Sequence, residues 1–193
     1  MGKMKLQVLI EAAILAAAAM VLDFLPSIKI APGISVSFAM VPVFIVSFRW
    51  GWRAGVFSGF LWGFLQVILG DASILHPVQA LVEYFMAFAA VGVAGFFVGN
   101  IQKQISRQQK KQALFTVILA IFSASVARYF FHFIAGYYFW GSYAPEGMSP
   151  VWYSFIINGS TMVLTFILCA IIMSGLFIAS PRLIQNKEVL TTE

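Results

Sequence analysis

"YSFIINGSTMVLTFILCAIIMSGLFIA", residues 153–179, contains no Asp, Glu, Lys or Arg. About 20 consecutive apolar residues are enough for a helix to cross the hydrocarbon core of a bilayer. The stretch therefore reads as a membrane span, and the rest of the chain reads the same way. Of its 193 residues, 61% are hydrophobic and only 10% are charged, whereas a soluble domain carries about 25% charged residues. The mean hydropathy is +0.92.

Working outward, five further apolar segments give six spans, at about 6–25, 35–49, 53–70, 77–99, 112–140 and 153–179. The breaks are "LPSIKIAPG", "RWGWR", "GDASILHP", "NIQKQISRQQKKQ" and "GSYAPEGMSP", each marked by Gly, Pro or charge. The second segment is short for a full crossing, which suggests tilt or a partly interfacial position. The N-terminal "MGKMKLQVLIEAAILAAAAM" imitates a signal peptide, but Glu11 interrupts its apolar run and more spans follow, so it reads as a retained first helix. The fold class is thus an all-α membrane protein, a single six-helix bundle over residues 1–193.

Basic residues orient the bundle. Lys3, Lys5, Arg49, Arg53, Lys103, Arg107, Lys110, Lys111, Arg182 and Lys187 all fall on one side of a six-span arrangement. The loops of the other side hold Lys29, Asp71 and Glu146. The positive-inside rule then makes both termini cytoplasmic. This dispersal over membrane-flanking loops also accounts for the net charge of +5 without a nucleic-acid partner. The segment "IQKQISRQQKK" (101–111) reads as a solvated loop near anionic lipid headgroups. Cys169, the single cysteine, reads as a small buried hydrophobe. Gly59, Gly63, Ala90, Gly92, Gly95 and Gly99 read as points of close helix approach.

Several chemistries find no support. There is no "GxxxxGK[ST]" loop, no "HExxH" and no "GxSxG". His76 and His132 alone are too few for a protein-only zinc site. No cofactor is expected, and binding or transport remains.

A charge at mid-membrane costs at least about 2.5–3.5 kcal/mol on insertion scales, so each one present marks a candidate site. These are Glu83, Arg128, His132 and, near one end, Glu11. His76, Gln79 and Glu83 are spaced i, i+3, i+7 along one helix face, with Tyr84 about 100° around from Glu83. Glu83 reads either as a partner of Arg128 in a structural ion pair or as a carboxylate facing a ligand cation or amine. In "RYFFHFIAGYYFW" (128–140), Arg128, His132, Gly136 and Trp140 recur every four residues and form a slanted stripe with room at Gly136. In the last span Ser154, Asn158, Thr161 and Thr165 share a face, and Tyr153 precedes them. The two threonines read as packing residues that bond backbone or a neighbouring helix. Asn158 lies at a depth similar to Trp140, where an amide can read the edge of a heterocycle. One carboxylate, aromatic faces, an amide and a histidine suit a flat cationic heteroaromatic ligand.

"QALVEYF" (79–85), "RYFFHFIAGYYFW" (128–140) and "YSFIING" (153–159) resemble the corresponding stretches of the ThiT family. These proteins are the thiamine-specific substrate-binding (S) components of energy-coupling factor (ECF) transporters, and the likeness covers nearly the whole chain. The resemblance implies a six-helix protein of the bacterial cell membrane that captures extracellular thiamine. It also implies association with a transmembrane coupling subunit and two cytoplasmic ATPase subunits. By the same resemblance Glu83 engages thiamine electrostatically, Tyr84 hydrogen-bonds nearby, and His132 and Trp140 stack on the thiazolium ring with Gly136 giving room. Tyr153 and Asn158 contact the aminopyrimidine, and Arg128 stands where the family has a lysine at the pocket edge. Ala13 and Ala17 match the family's small-xxx-small pair that packs on the coupling subunit; read from residues alone, they pack within the protein's own bundle. Two positions depart from the family: Gly33 stands where a pyrimidine-stacking tryptophan occurs, and Ser73 where a tyrosine occurs. Trp152 or Tyr143 are the alternative stacking residues. An autonomous proton-coupled transporter of an aromatic cation, working through Glu83 and His132, is the rival reading, and a membrane enzyme using the same pair is a third.

Overall fold

A computed structural model of the chain describes residues 4–24, 28–31 and 34–186. Lys3, Gly33 and Lys187 lie outside these, as does the side chain of Lys29. Six helices run through it: α1 Leu6–Asp23, α2 Val41–Trp50, α3 Trp52–Ile68, α4 Pro77–Ser106, α5 Lys110–Phe139 and α6 Pro150–Ala179. Between α1 and α2, β1 (Ile28–Ala31) and β2 (Ile34–Val36) pair as an antiparallel hairpin, with Ile28 opposite Val36. Four helices, α1, α4, α5 and α6, are long and apolar enough to cross a membrane.

The second span differs from its expectation. Helix starts only at Val41, and ten residues rise about 15 Å, half a bilayer. The preceding "ISVSF" alternates β-branched and polar residues, a pattern of period two that suits a strand. Ser37 then fixes the chain: its hydroxyl donates to Asp23 at 3.1 Å and accepts from the Ala39 amide at 3.1 Å. At the other end of α2 a single residue, Gly51, reverses the chain into α3. Its φ of +88° is one that a side chain opposes.

The segment 101–111 also departs from expectation. α4 continues to Ser106, and only Arg107–Gln109 form the turn before α5. The cause is Gln102, which is buried rather than solvated. Its amide nitrogen donates to the Phe48 and Ile184 carbonyls, both at 2.7 Å, and its oxygen accepts from the Asn186 amide at 2.8 Å. A residue that reads as loop thus ties α2, α4 and the C-terminal segment together.

α1 packs on α2 and α3, α3 on α4, and α5 lies between α4 and α6. Trp62, Phe44, Phe48, Phe88 and Met20 form the core, with Trp62 edge-on to Phe88 at 4.4 Å. Lipid is as apolar as these side chains, so close contact rather than water exclusion holds the helices together. Gly59, Gly63, Gly92 and Gly95 serve that contact, as the sequence suggests: a Cβ at Gly63 would overlap the Tyr84 carbonyl of α4. Cys169 is buried, also as expected. Lys5, Arg49, Arg53, Lys103, Arg107, Lys110, Lys111 and Arg182 mark one end of the bundle, the basic end; the hairpin and Asp23 mark the other. At the basic end Glu11 accepts from the Trp50 indole and faces Arg49 at 3.5 Å. Glu11 is therefore a clamp between α1 and α2.

Candidate functional site

A cavity of about 500 Å³ lies toward the hairpin end, walled by α1, the segment leading into α2, and α3 to α6. Its polar walls are Asp23, Gln66, Arg128, His132 and Asn158, with Phe88 as an apolar floor. Asp71, in the exposed loop between α3 and α4, also lines it.

Arg128 forms no ion pair with Glu83 or any other carboxylate among the described residues. Its guanidinium lies over the rings of Phe88 at 4.4 Å and Trp62 at 5.0 Å. Such desolvated contacts contribute about 2 kcal/mol or more. The Arg128 Nε donates to His132 Nε2 at 3.2 Å. Beside Trp62, Asp23 accepts from Trp62 Nε1 at 2.7 Å, from Ser37 Oγ, and from Gln66 Nε2. One cation and one hydrogen-bonded anion thus face the same space.

Glu83 belongs to a neighbouring cluster. It is buried on a π-helical turn of α4, Leu81–Met86, a wide turn of the kind found at functional sites. Gln79 Nε2 donates to one carboxylate oxygen, and Trp140 Nε1 donates to the other at 2.9 Å. Gln79 also holds the loop before α4, donating to the Ser73 carbonyl at 3.1 Å and accepting from the Leu75 amide at 3.0 Å. The Tyr84 hydroxyl accepts from the Ser73 amide at 2.8 Å. Phe88 links cluster and cavity, its ring 5.9 Å from Tyr84 and 6.4 Å from His132. His76 caps the start of α4 through Nδ1 and stacks on Phe139 at 5.5 Å.

Gly136 is where α5 and α6 cross. A Cβ there would overlap Ser154 Oγ and come within 2.7 Å of Asn158 Nδ2. Ser154 Oγ in turn donates to the Phe133 carbonyl at 2.7 Å, and Asn158 Nδ2 donates to the Ser154 carbonyl at 3.1 Å. Tyr153 is half-buried beside Ser154, off the cavity wall. Trp152 and Tyr143 are exposed and off the wall as well. On α1, Ala12, Ala16 and Ala19 are buried while Ala13 and Ala17 are exposed, so the pair faces away from the bundle.

The structure therefore brings Arg128, His132 and Asn158 onto one cavity and joins Glu83 to Trp140 beside it. The sequence reading missed Asp23, Ser125, Gln66 and Asp71 as wall residues, and it assigned Thr161 and Thr165 to packing. All six line the cavity, and the buried hydroxyls of Ser125 and Thr161 have no hydrogen-bond partner among the described residues. The available signal for Asp23 is an acid closing the apolar run "AAAAMVLD".

The family described as Thiamine transporter protein (Thia_YuaJ) matches residues 9–185. The thiamine transporter ThiT of Bacillus subtilis (strain 168) is 42% identical over 183 residues, 93% of this chain and 95% of its own. That of Lacticaseibacillus paracasei is 34% identical over 187 residues, 95% and 93% of the two chains. A solved structure of ThiT from Listeria monocytogenes superposes with a TM-score of 0.90 at 37% identity, covering 94% of this chain and 98% of that one. These relatives are named as transporters, not enzymes. The chain belongs to the thiamine transporter protein family and is a multi-pass bacterial membrane protein.

Proposed function

We propose that the chain is the thiamine-binding S component of an ECF-type uptake transporter. It captures extracellular thiamine and delivers it together with a transmembrane coupling subunit and two ATPase subunits. The observation that carries this reading is the cavity of about 500 Å³, bounded by Arg128, His132 and Asn158 and adjoined by the Glu83–Trp140 pair. Ligand sites of small molecules are typically about 300–1,000 Å³.

In this reading Glu83 provides the charge that meets thiamine. A carboxylate has about four acceptor positions, and Gln79 and Trp140 use one on each oxygen. The remainder serve the ligand. Tyr84 hydrogen-bonds beside it, and His132 and Trp140 offer ring faces to the thiazolium. Tyr153 and Asn158 meet the aminopyrimidine, Gly136 keeps α5 and α6 close enough for both helices to reach one ligand, and Arg128 forms the pocket edge. The outward-facing Ala13 and Ala17 give the coupling subunit a smooth surface for close approach. Both termini lie in the cytoplasm, which places the cavity toward the outside.

Titration of purified protein with thiamine, followed by tryptophan fluorescence, tests the reading. Nanomolar binding, about −12 kcal/mol, is expected. Absence of a response at micromolar thiamine overturns it. Thiamine uptake by vesicles holding this chain alone, abolished by collapse of the proton gradient, would instead establish an autonomous secondary transporter.

A further inference from the structure

Asp23 has a place in the site that neither the residue pattern nor the proposed ligand contacts give it. It sits at the last position of α1, lines the cavity, and accepts hydrogen bonds from Ser37, Trp62 and Gln66. Trp62 is almost fully buried, and its ring carries the Arg128 guanidinium at 5.0 Å. Arg128 Nε then donates to His132 Nε2 at 3.2 Å. Four side chains from three helices form a continuous series: carboxylate, indole, guanidinium, imidazole.

Arginine has only donors, so the nitrogen of His132 that receives its hydrogen bond is unprotonated. The proton of the neutral ring is therefore on Nδ1. A neutral imidazole is what a cationic ligand requires of a histidine at its side. Arg128 by itself would repel such a ligand, and Asp23 supplies the opposite charge in the same cavity.

We propose that Asp23 is a positioning and specificity residue: through Trp62 and Arg128 it fixes His132 as the neutral Nδ1–H form, and it offsets the Arg128 charge so that the cavity accepts a cation. The ligand half of this proposal rests on the thiamine reading above; the histidine half does not.

Two measurements separate them. The chain has only two histidines, so a ¹⁵N-histidine spectrum of the purified ligand-free protein contains two rings, and His76→Gln assigns them. Wild-type His132 should show the Nδ1–H pattern, and Asp23→Asn should move it toward the mixed pattern of a free imidazole. A wild-type Nε2–H pattern, or no change in Asp23→Asn, overturns the proposal. In binding, Asp23→Asn should weaken thiamine roughly tenfold or more. It should leave the neutral thiophene isostere, with carbon in place of the cationic ring nitrogen, within about twofold of wild type. Equal losses for both ligands make Asp23 a merely structural residue and overturn it, as does an equal thiamine loss in Asp71→Asn. If Asp23→Asn does not fold, Trp62→Phe removes the indole donor, keeps a ring under Arg128 and leaves the Asp23 charge in place, so it is held to the histidine readout. Failure of wild type to bind thiamine rejects the thiamine reading and leaves the histidine spectrum to decide the network.

Discussion

Glu83 and Glu146 carry the same charge in different surroundings, and the difference makes a test. Glu83 is buried, with Gln79 and Trp140 holding its two oxygens. Glu146 is exposed in the α5–α6 loop. Glu83→Gln keeps the shape and removes the charge, so thiamine affinity should fall by about 2–3 kcal/mol, while Glu146→Gln should stay within about 0.5 kcal/mol. Calorimetric titration of both variants checks this, and equal losses would remove Glu83 from the site. At this scale the sequence was informative wherever a polar group interrupts an apolar run. Glu83, Arg128 and His132 stand out for that reason. Asp23 did not, because an acid at the end of a span resembles an ordinary boundary. Its importance comes from Trp62 and Gln66, about forty positions away in the chain. Arg128 illustrates the same limit: opposite charge suggested Glu83 as a partner, yet its neighbours are two rings and a histidine.

Helices depend on where their small residues sit. Gly63 faces the Tyr84 carbonyl on α4 so closely that any side chain must push α3 and α4 apart, whereas Gly175 on α6 has open space around it. Gly63→Ala should therefore destabilise the protein by about 1–3 kcal/mol through overpacking. Gly175→Ala should be neutral or stabilising by up to about 1 kcal/mol, since alanine favours helix. Thermal unfolding in detergent compares the two; a lower melting temperature for Gly175→Ala than for Gly63→Ala would contradict the α3–α4 crossing. Gly63 adjoins the π-helical turn bearing Glu83, so thiamine affinity should fall along with stability. Hydropathy made α1, α3, α5, α6 and the start of α4 legible within a few residues. It failed at residues 35–40, where β2 pairs with β1 as far as Val36 and Ser37 then holds the chain through Asp23 and the Ala39 amide. It failed again at Gln102, whose polarity suggests solvent but whose amide is consumed by three backbone groups.

The molecule as a whole is polarised, and that polarity predicts which surface faces which compartment. Eight of the described basic residues mark one end of the bundle, while the hairpin, Asp23, Asp71 and Glu146 lie at the other. Lys and Arg are retained on the cytoplasmic side of short loops, so the end with the cavity is expected to face outward. The chain contains one native cysteine, Cys169, and it is buried in the core. Single cysteines placed on the surface therefore report sidedness against a quiet background. In intact cells, Glu146→Cys should react with a membrane-impermeant thiol reagent, and Arg107→Cys, in the turn between α4 and α5, should react only after the membrane is opened. The reverse pattern would put the cavity on the cytoplasmic side. An S component that meets thiamine outside the cell is incompatible with that outcome, whatever the affinity of the purified protein, so the labelling experiment tests the direction of capture independently of binding.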